Sequence, residues 1–332
     1  MTLEALVGSR LVVGLPGTQL SAEVAGHLRA IHAGGVIAFE RNFETPEQFR
    51  SLIASVHAAL GREVLVMVDH EGGRVVRFHR GLTPFPDALT VGETHDAAWV
   101  EGQGATEANE LRALGVQVNL APCVDVLVAG SDPIIGTRAY GSDPQRVAAL
   151  GAARIRGGQR QGAAMCAKHF PGLGAVPHDP HKRLPTVTLD WDAMRRVHLV
   201  PFVEAIKADV ALVMSSHVCY PQLEPILNTP ATFSSPLMRG LLRDELGFGG
   251  VVVSDDLEMG ALRELCPIGE AAVRAVAAGH DLLLICADPG AQRAAFEALC
   301  RAYQDGRLST RDLEPCVERI ARLRARVGLS SP

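Results

Sequence analysis

Short, almost purely apolar runs recur along the chain, separated by longer stretches of helical periodicity. The runs are Arg10–Gly14, Gly35–Phe39, Val64–Val68, Val116–Leu120, Ala164–Ala167, Val210–Met214, Val251–Val253 and Leu282–Ile285. An apolar run without polar alternation is expected of a parallel strand covered on both faces. Thr45-Pro46-Glu47 opens one intervening helix with an N-cap, a proline at the first helical position and an acid behind it. Asp143-Pro144 and Ser235-Pro236 open two more in the same way. The stretch Thr310 to Arg326 reads as a closing amphipathic helix.

Strand and helix alternate in this way about eight times, with no break in composition. The pattern predicts an α/β chain folded as a single (β/α)8 TIM-type barrel over residues 1–332, without a second domain. A doubly wound open sheet is the competing architecture. It usually carries GxGxxG after its first strand, and Gly14-Leu15-Pro16-Gly17 does not match.

With 332 residues, 47% of them hydrophobic, the chain can bury a large core. Its 32 Lys and Arg against 37 Asp and Glu form no long basic run, which argues against a nucleic-acid partner. The seven cysteines, Cys123, Cys166, Cys219, Cys266, Cys286, Cys300 and Cys316, include no CxxC pair. Reduced, buried thiols in a reducing compartment are expected, and a structural zinc site is not. Met1 to Arg10 lacks a basic start followed by an apolar core, and Leu11–Leu15 is too short to span a membrane. The expectation is a cytoplasmic protein with no membrane partner.

Several apolar runs end abruptly in ionisable residues. Val64–Val68 is followed by Asp69, His70, Glu71 and Arg74, and Ala164–Ala167 by Lys168 and His169. Val210–Met214 is followed by Ser215, Ser216 and His217, and Val251–Val253 by Ser254, Asp255 and Asp256. In a βα barrel these ends share one rim, where active sites are built. One such residue, Asp256 for instance, could be a helix cap. Four converging ends point to a site. The Pro- and Gly-rich segment Lys168–Pro185 is expected to be a long loop, with Asp179 and His181 two residues apart. A carboxylate beside an imidazole suits proton transfer. A solvated loop tip is the plain alternative.

Assembled in order, these segments resemble glycoside hydrolase family 3, in its β-N-acetylhexosaminidase branch. The resemblance rests on DHEGGRVVRF at Asp69–Phe78, NLAPCVD at Asn119–Asp125 and IGTRAYGSDP at Ile135–Pro144. It rests further on KHFPGLG at Lys168–Gly174, DPH at Asp179–His181 and SDDLEM at Ser254–Met259. It implies one catalytic barrel of the family's N-terminal type that removes terminal β-linked N-acetylglucosamine by a retaining mechanism. By the same resemblance Asp255 is the nucleophile and His181 the acid/base, oriented by Asp179. Asp69, Arg77, Arg138, Lys168 and His169 bind the sugar, and neither metal nor organic cofactor is required. Arg74 competes with Arg77 within its motif, while Asp125, Asn119, His217 and Met259 are supporting candidates. The implied partner is a small carbohydrate, a muropeptide or oligosaccharide containing N-acetylglucosamine, met in cell-wall recycling.

Two positions depart from the family pattern. Leu173 stands where a histidine is usual, and Pro180 where a serine is usual. Leu173 removes a possible polar contact near the sugar, and Pro180 restricts the backbone of Asp179 as well as its own. Three other readings stay open. They are a phosphorylase of the same family, a metal-dependent barrel hydrolase, and a non-catalytic sugar-binding relative. Arg10–Gly17 lacks the HxH usual in the second.

Overall fold

A computed structural model describes residues 2–131 and 133–330. Eight strands close into a barrel in chain order, β1 pairing with β8. They are β1 (Leu11–Gly14), β2 (Gly35–Ala38), β3 (Leu65–Val68), β4 (Val118–Asn119), β5 (Ala164–Phe170), β6 (Leu212–Ser215), β7 (Val251–Asp256) and β8 (Leu282–Ile285). Every neighbouring pair is parallel. Closure excludes the open sheet.

The principal helices α1 (Ala22–Ala30), α2 (Pro46–Leu60), α3 (Ala97–Ala113), α4 (Pro144–Arg160), α5 (Val200–Lys207), α6 (Pro236–Glu245), α7 (Ile268–Ala278) and α8 (Pro289–Gln304) follow the strands in turn. A last helix, α9 (Leu313–Arg326), adds its apolar Cys316, Ile320 and Leu323 to the cluster formed by the barrel interior. Among the described residues, no helix is long and apolar enough to cross a membrane.

Alternate strand residues serve different layers, as a period of two requires. Val12, Ile37, Met67, Val118, Cys166, Leu212, Val253 and Leu284 belong to the interior cluster. Val13, Val36, Val66 and Ile285 pack outward in one helix-side cluster, and Ala167, Val213 and Val252 in another. Both faces are dry, so the runs carry no polar alternation.

The expected caps form at Thr45, whose side chain accepts from the Gln48 amide, and at Asp143, which accepts from Gln145. Such a cap contributes about 1 kcal/mol. The third differs by one residue. Helix α6 does begin at Pro236, but Ser235 is already helical and its side chain caps nothing. Ser234 takes its place, its Oγ accepting from the Leu237 amide at 3.1 Å. Helix α6 is also wound with π spacing.

Two strands run further than their apolar letters suggest. β5 continues through Lys168, His169 and Phe170, and β7 through Ser254, Asp255 and Asp256. Their ionisable residues are therefore strand residues, held by the barrel wall rather than by the loops beyond. β4 is shorter than expected, but its neighbours keep the wall continuous. The Gln117 and Leu120 amides donate to Val66 and Val68, at 3.0 and 2.8 Å. All seven cysteines are unpaired, six of them buried.

Candidate active site

The carboxyl ends of β3, β5 and β7 bring the expected residues to one rim. Lys168 is the centre of a buried charge cluster. Its Nζ lies 2.7 Å from Asp69 Oδ1 and 2.6 Å from Glu71 Oε1. Arg138, on the short helix Gly136–Arg138 after β4, makes a two-pronged pair with Glu71, both donors at 2.8 Å. Burial acts against the charge on each of these groups. The mutual attraction outweighs it, holding Glu71 well below the carboxylate range and Lys168 well above the usual ammonium value. Lys168 has three N–H donors and two are taken. Arg77 reaches Asp69 more loosely, at 3.7 Å. Arg74 lies outside the cluster and donates to the carbonyls of Pro133, Ile134 and Ile135, fastening the segment that presents Arg138.

Glu71 stands among the ionisable residues that end the third apolar run, but the family motif gave it no role of its own. It sits two places beyond Asp69 in the same glycine-rich turn, and that spacing was the available signal. It is almost fully buried between two cations. An acid in that position neutralises Lys168 and Arg138 and fixes both.

His169 is oriented from below. Its Nδ1 is 2.7 Å from Asp125 Oδ2, and its Nε2 faces Arg138 Nη2 at 3.3 Å. An Nδ1–H donating to Asp125 leaves Nε2 as an acceptor, the arrangement a neighbouring guanidinium favours. Asp125 is fully buried and also accepts from the Cys123 thiol and the amides of His169 and Leu173. Cys123, Asp125 and His169 offer sulfur, oxygen and nitrogen atoms within 4.8 Å of one another, a set a metal could use. Both neighbours already hydrogen-bond to Asp125 Oδ2, which accounts for their closeness.

Asp255 is half-buried on β7. Burial pushes its carboxyl up, but His169, His217, the Asp256 amide and His181 together hold it below its ordinary value. That amide, at 2.8 Å, occupies Oδ1. Among the described residues, Asp255 has no ion-pair partner. The thiols of Cys166 and Cys286 lie close enough to feel Asp69 and Asp255, and burial keeps both protonated.

The Asp179–His181 pair sits on the long loop after β5. Asp179 Oδ1 accepts the His181 amide at 2.8 Å and faces its Nδ1 at 2.7 Å. His181 is about half exposed, and its Nε2 has no hydrogen-bond partner among the described residues. His181 is among the groups that act electrostatically on the Asp255 carboxyl, after His169, His217 and the Asp256 amide.

Three of the supporting candidates make hydrogen bonds to the backbone at the rim. Asn119 bonds both backbone atoms of His70, and His217 Nε2 donates to the Asp256 carbonyl at 2.9 Å. Met259 is buried, its amide donating to the same carbonyl. Asp256 accepts from the amides of Glu258 and Cys286 rather than capping a helix. The Leu173 side chain is buried. It is packed into an apolar cluster with Val126 and Phe170, and only its amide reaches Asp125.

A barrel whose rim gathers an unpaired carboxylate, a loop-borne imidazole and a cradle of cations and acids is the outline of a sugar-cleaving enzyme. Residues 4–323 match the glycosyl hydrolase family 3 N terminal domain. A β-hexosaminidase of Thioalkalivibrio sulfidiphilus is 37% identical over 96% of this chain and 90% of its own length. Among solved structures, a family 3 β-N-acetylglucosaminidase from Paenibacillus superposes with a TM-score of 0.96 at 38% identity over 98% of this chain. This chain spans 63% of that protein. A β-N-acetylhexosaminidase from Beutenbergia cavernae superposes with a TM-score of 0.87 at 30% identity, over 99% of each chain. The chain belongs to glycosyl hydrolase family 3, and it is a glycoside hydrolase on a single closed barrel.

Proposed function

We propose that the protein is a retaining exo-β-N-acetylglucosaminidase. Asp255 is the nucleophile, His181 the acid/base, and Asp179 the residue that orients His181. Asp69, Arg77, Arg138, Lys168 and His169 bind the terminal sugar. The observation that carries this reading is the Asp179–His181 pair beside an ionised carboxylate with no ion-pair partner.

In the first step an Asp255 oxygen attacks the anomeric carbon. The glycosidic carbon–oxygen bond breaks, and the leaving oxygen takes a proton from His181. In the second step His181 removes a proton from water, the water oxygen attacks the same carbon, and Asp255 is released. Asp179 stabilises the imidazolium and keeps its Nδ1 protonated. The third donor of Lys168 and the partly open Asp69 suit sugar hydroxyls, which both donate and accept. The preferred substrates are small peptidoglycan fragments carrying a terminal β-linked N-acetylglucosamine, as in cytoplasmic cell-wall recycling. The relatives' names support the sugar, and the family resemblance supports the fragment.

Release of nitrophenol from its β-N-acetylglucosaminide, beside the matching β-glucoside, tests the proposal. The wild type is expected to act on the first alone, and Asp255→Asn to lose at least about a thousandfold. Equal turnover of both, or an active Asp255→Asn, would sink it. Rate acceleration by inorganic phosphate, with a sugar phosphate as product, would replace water by phosphate in the second step.

A further inference from the structure

The acid/base loop is tied at both ends. Near β5, the Leu173 amide donates to Asp125 and the Val128 amide to the Gly174 carbonyl at 3.1 Å. At the far end, the Cys219 amide donates to the Pro185 carbonyl and the Val187 amide to the Cys219 carbonyl, both at 2.9 Å. Between these ties the loop touches down once more. The Gly260 amide donates to the His181 carbonyl and the Ala261 amide to the Pro180 carbonyl, each at 3.1 Å. These donors belong to the first turn of the short helix Gly260–Arg263, which follows the nucleophile strand. Free N–H groups there need acceptors, and the loop supplies two. Pro180 is buried at this contact, while His181, Lys182 and Arg183 are exposed.

Gly260 has no side chain to keep the loop away. A Cβ there would lie 2.5 Å from the His181 carbonyl oxygen and 2.8 Å from that of Lys182. Both obstructing atoms are loop backbone, so the clash is relieved only by drawing the loop and the short helix apart. The φ of Gly260 is not positive, and its helical position accepts alanine readily. The contact with the loop is thus what requires glycine.

Resting on the acid/base role proposed for His181, we infer that Gly260 is a positioning residue. Its bare backbone latches Pro180 and His181 to the strand that carries Asp255, and so sets the proton donor against the nucleophile. The proline at 180 fits this role, since its carbonyl accepts, its ring is covered and it needs no amide partner. The latch holds the loop by two backbone hydrogen bonds, few enough to open for product release.

The test compares wild type, Gly260→Ala, Gly260→Val and His181→Ala. Two readouts are used, and unchanged thermal unfolding serves as the check on folding. Brief trypsin treatment under native conditions reads the loop itself, because Lys182 and Arg183 adjoin the latch. In Gly260→Ala, cleavage at these residues is expected to quicken about tenfold, and more in Gly260→Val. Kinetics read the proton donor. With an unactivated disaccharide, kcat should fall about tenfold in Gly260→Ala. With a dinitrophenyl β-N-acetylglucosaminide, whose leaving group needs no proton, the glycosylation rate should hold. His181→Ala should show the same selectivity, more strongly. Wild-type cleavage and wild-type leaving-group dependence in both Gly260 variants would overturn the latch. A His181→Ala enzyme without leaving-group selectivity would instead overturn the acid/base role, while trypsin would still decide the latch.

Discussion

The two ends of the barrel both bury charge, but they dispose of it differently. At the amino end, Asp281 is fully buried just before β8. It accepts from Arg243 at 2.6 Å, from Arg319 at 2.8 Å and from the Val252 amide at 2.9 Å. Arg319 belongs to α9, so this carboxylate ties the last helix to the strands. At the carboxyl end, Asp69 and Glu71 balance Lys168 and Arg138 just as closely. Asp255 stands beside that balanced cluster without a counter-ion of its own among the described residues. The comparison separates charge that closes a structure from charge kept available for a ligand. Paired charges hold one another in place, and the unpaired carboxylate is the one the proposed mechanism uses.

The sharpest way to break the comparison is to remove one charge from each end. Asp281→Asn and Lys168→Met each leave buried partners uncompensated, so each should lose about 3–5 kcal/mol of stability. Their kinetics should part. The folded fraction of Asp281→Asn should keep wild-type kcat, whereas Lys168→Met should lose about a hundredfold in kcat/KM. Denaturant unfolding and turnover per folded molecule measure both. A comparable loss of kcat in Asp281→Asn would mean that the ends are coupled.

A smaller effect concerns pH. Burial, with repulsion from Glu258 and Asp255, pushes the Asp256 carboxyl up to about 7, against the pull of two amides. Its folded-state value thus lies above its unfolded one. The stability it contributes is fully present below about pH 4 and is lost as pH rises through the folded value, a change on the order of 1–3 kcal/mol for a half-buried group. Wild type should therefore lose stability between about pH 4 and 7 relative to Asp256→Asn. Parallel stability curves for the two proteins would contradict this. Glu71 runs in the opposite sense. Its depressed carboxyl contributes stability above its unfolded value, lost only as pH falls through the folded one.

The smallest effect belongs to Arg77. Its 3.7 Å pair with Asp69 is partly open to solvent. Arg77→Ala should change stability by less than about 1 kcal/mol, while raising KM for the sugar severalfold. An unchanged KM would remove Arg77 from the sugar site and leave Lys168 and Arg138 as its cations.

The sequence by itself determined the strands, most of the caps and the identities of the rim residues. An apolar run, a Thr-Pro-Glu start and an ionisable residue at a run's end are local features, legible without neighbours. The family motifs brought Asp255, His181 and Lys168 forward by the same route. Only the tertiary structure decided which of these residues meet. Glu71 lies between Lys168 and Arg138, 97 and 67 positions away, and Gly260 receives a loop from nearly 80 positions upstream. The structure also moved the α6 cap to Ser234, and it buried Leu173 in an apolar cluster. Periodicity records whether a position is buried. The partner it is buried against depends on barrel closure, which brings strand ends far apart in the chain within hydrogen-bond reach.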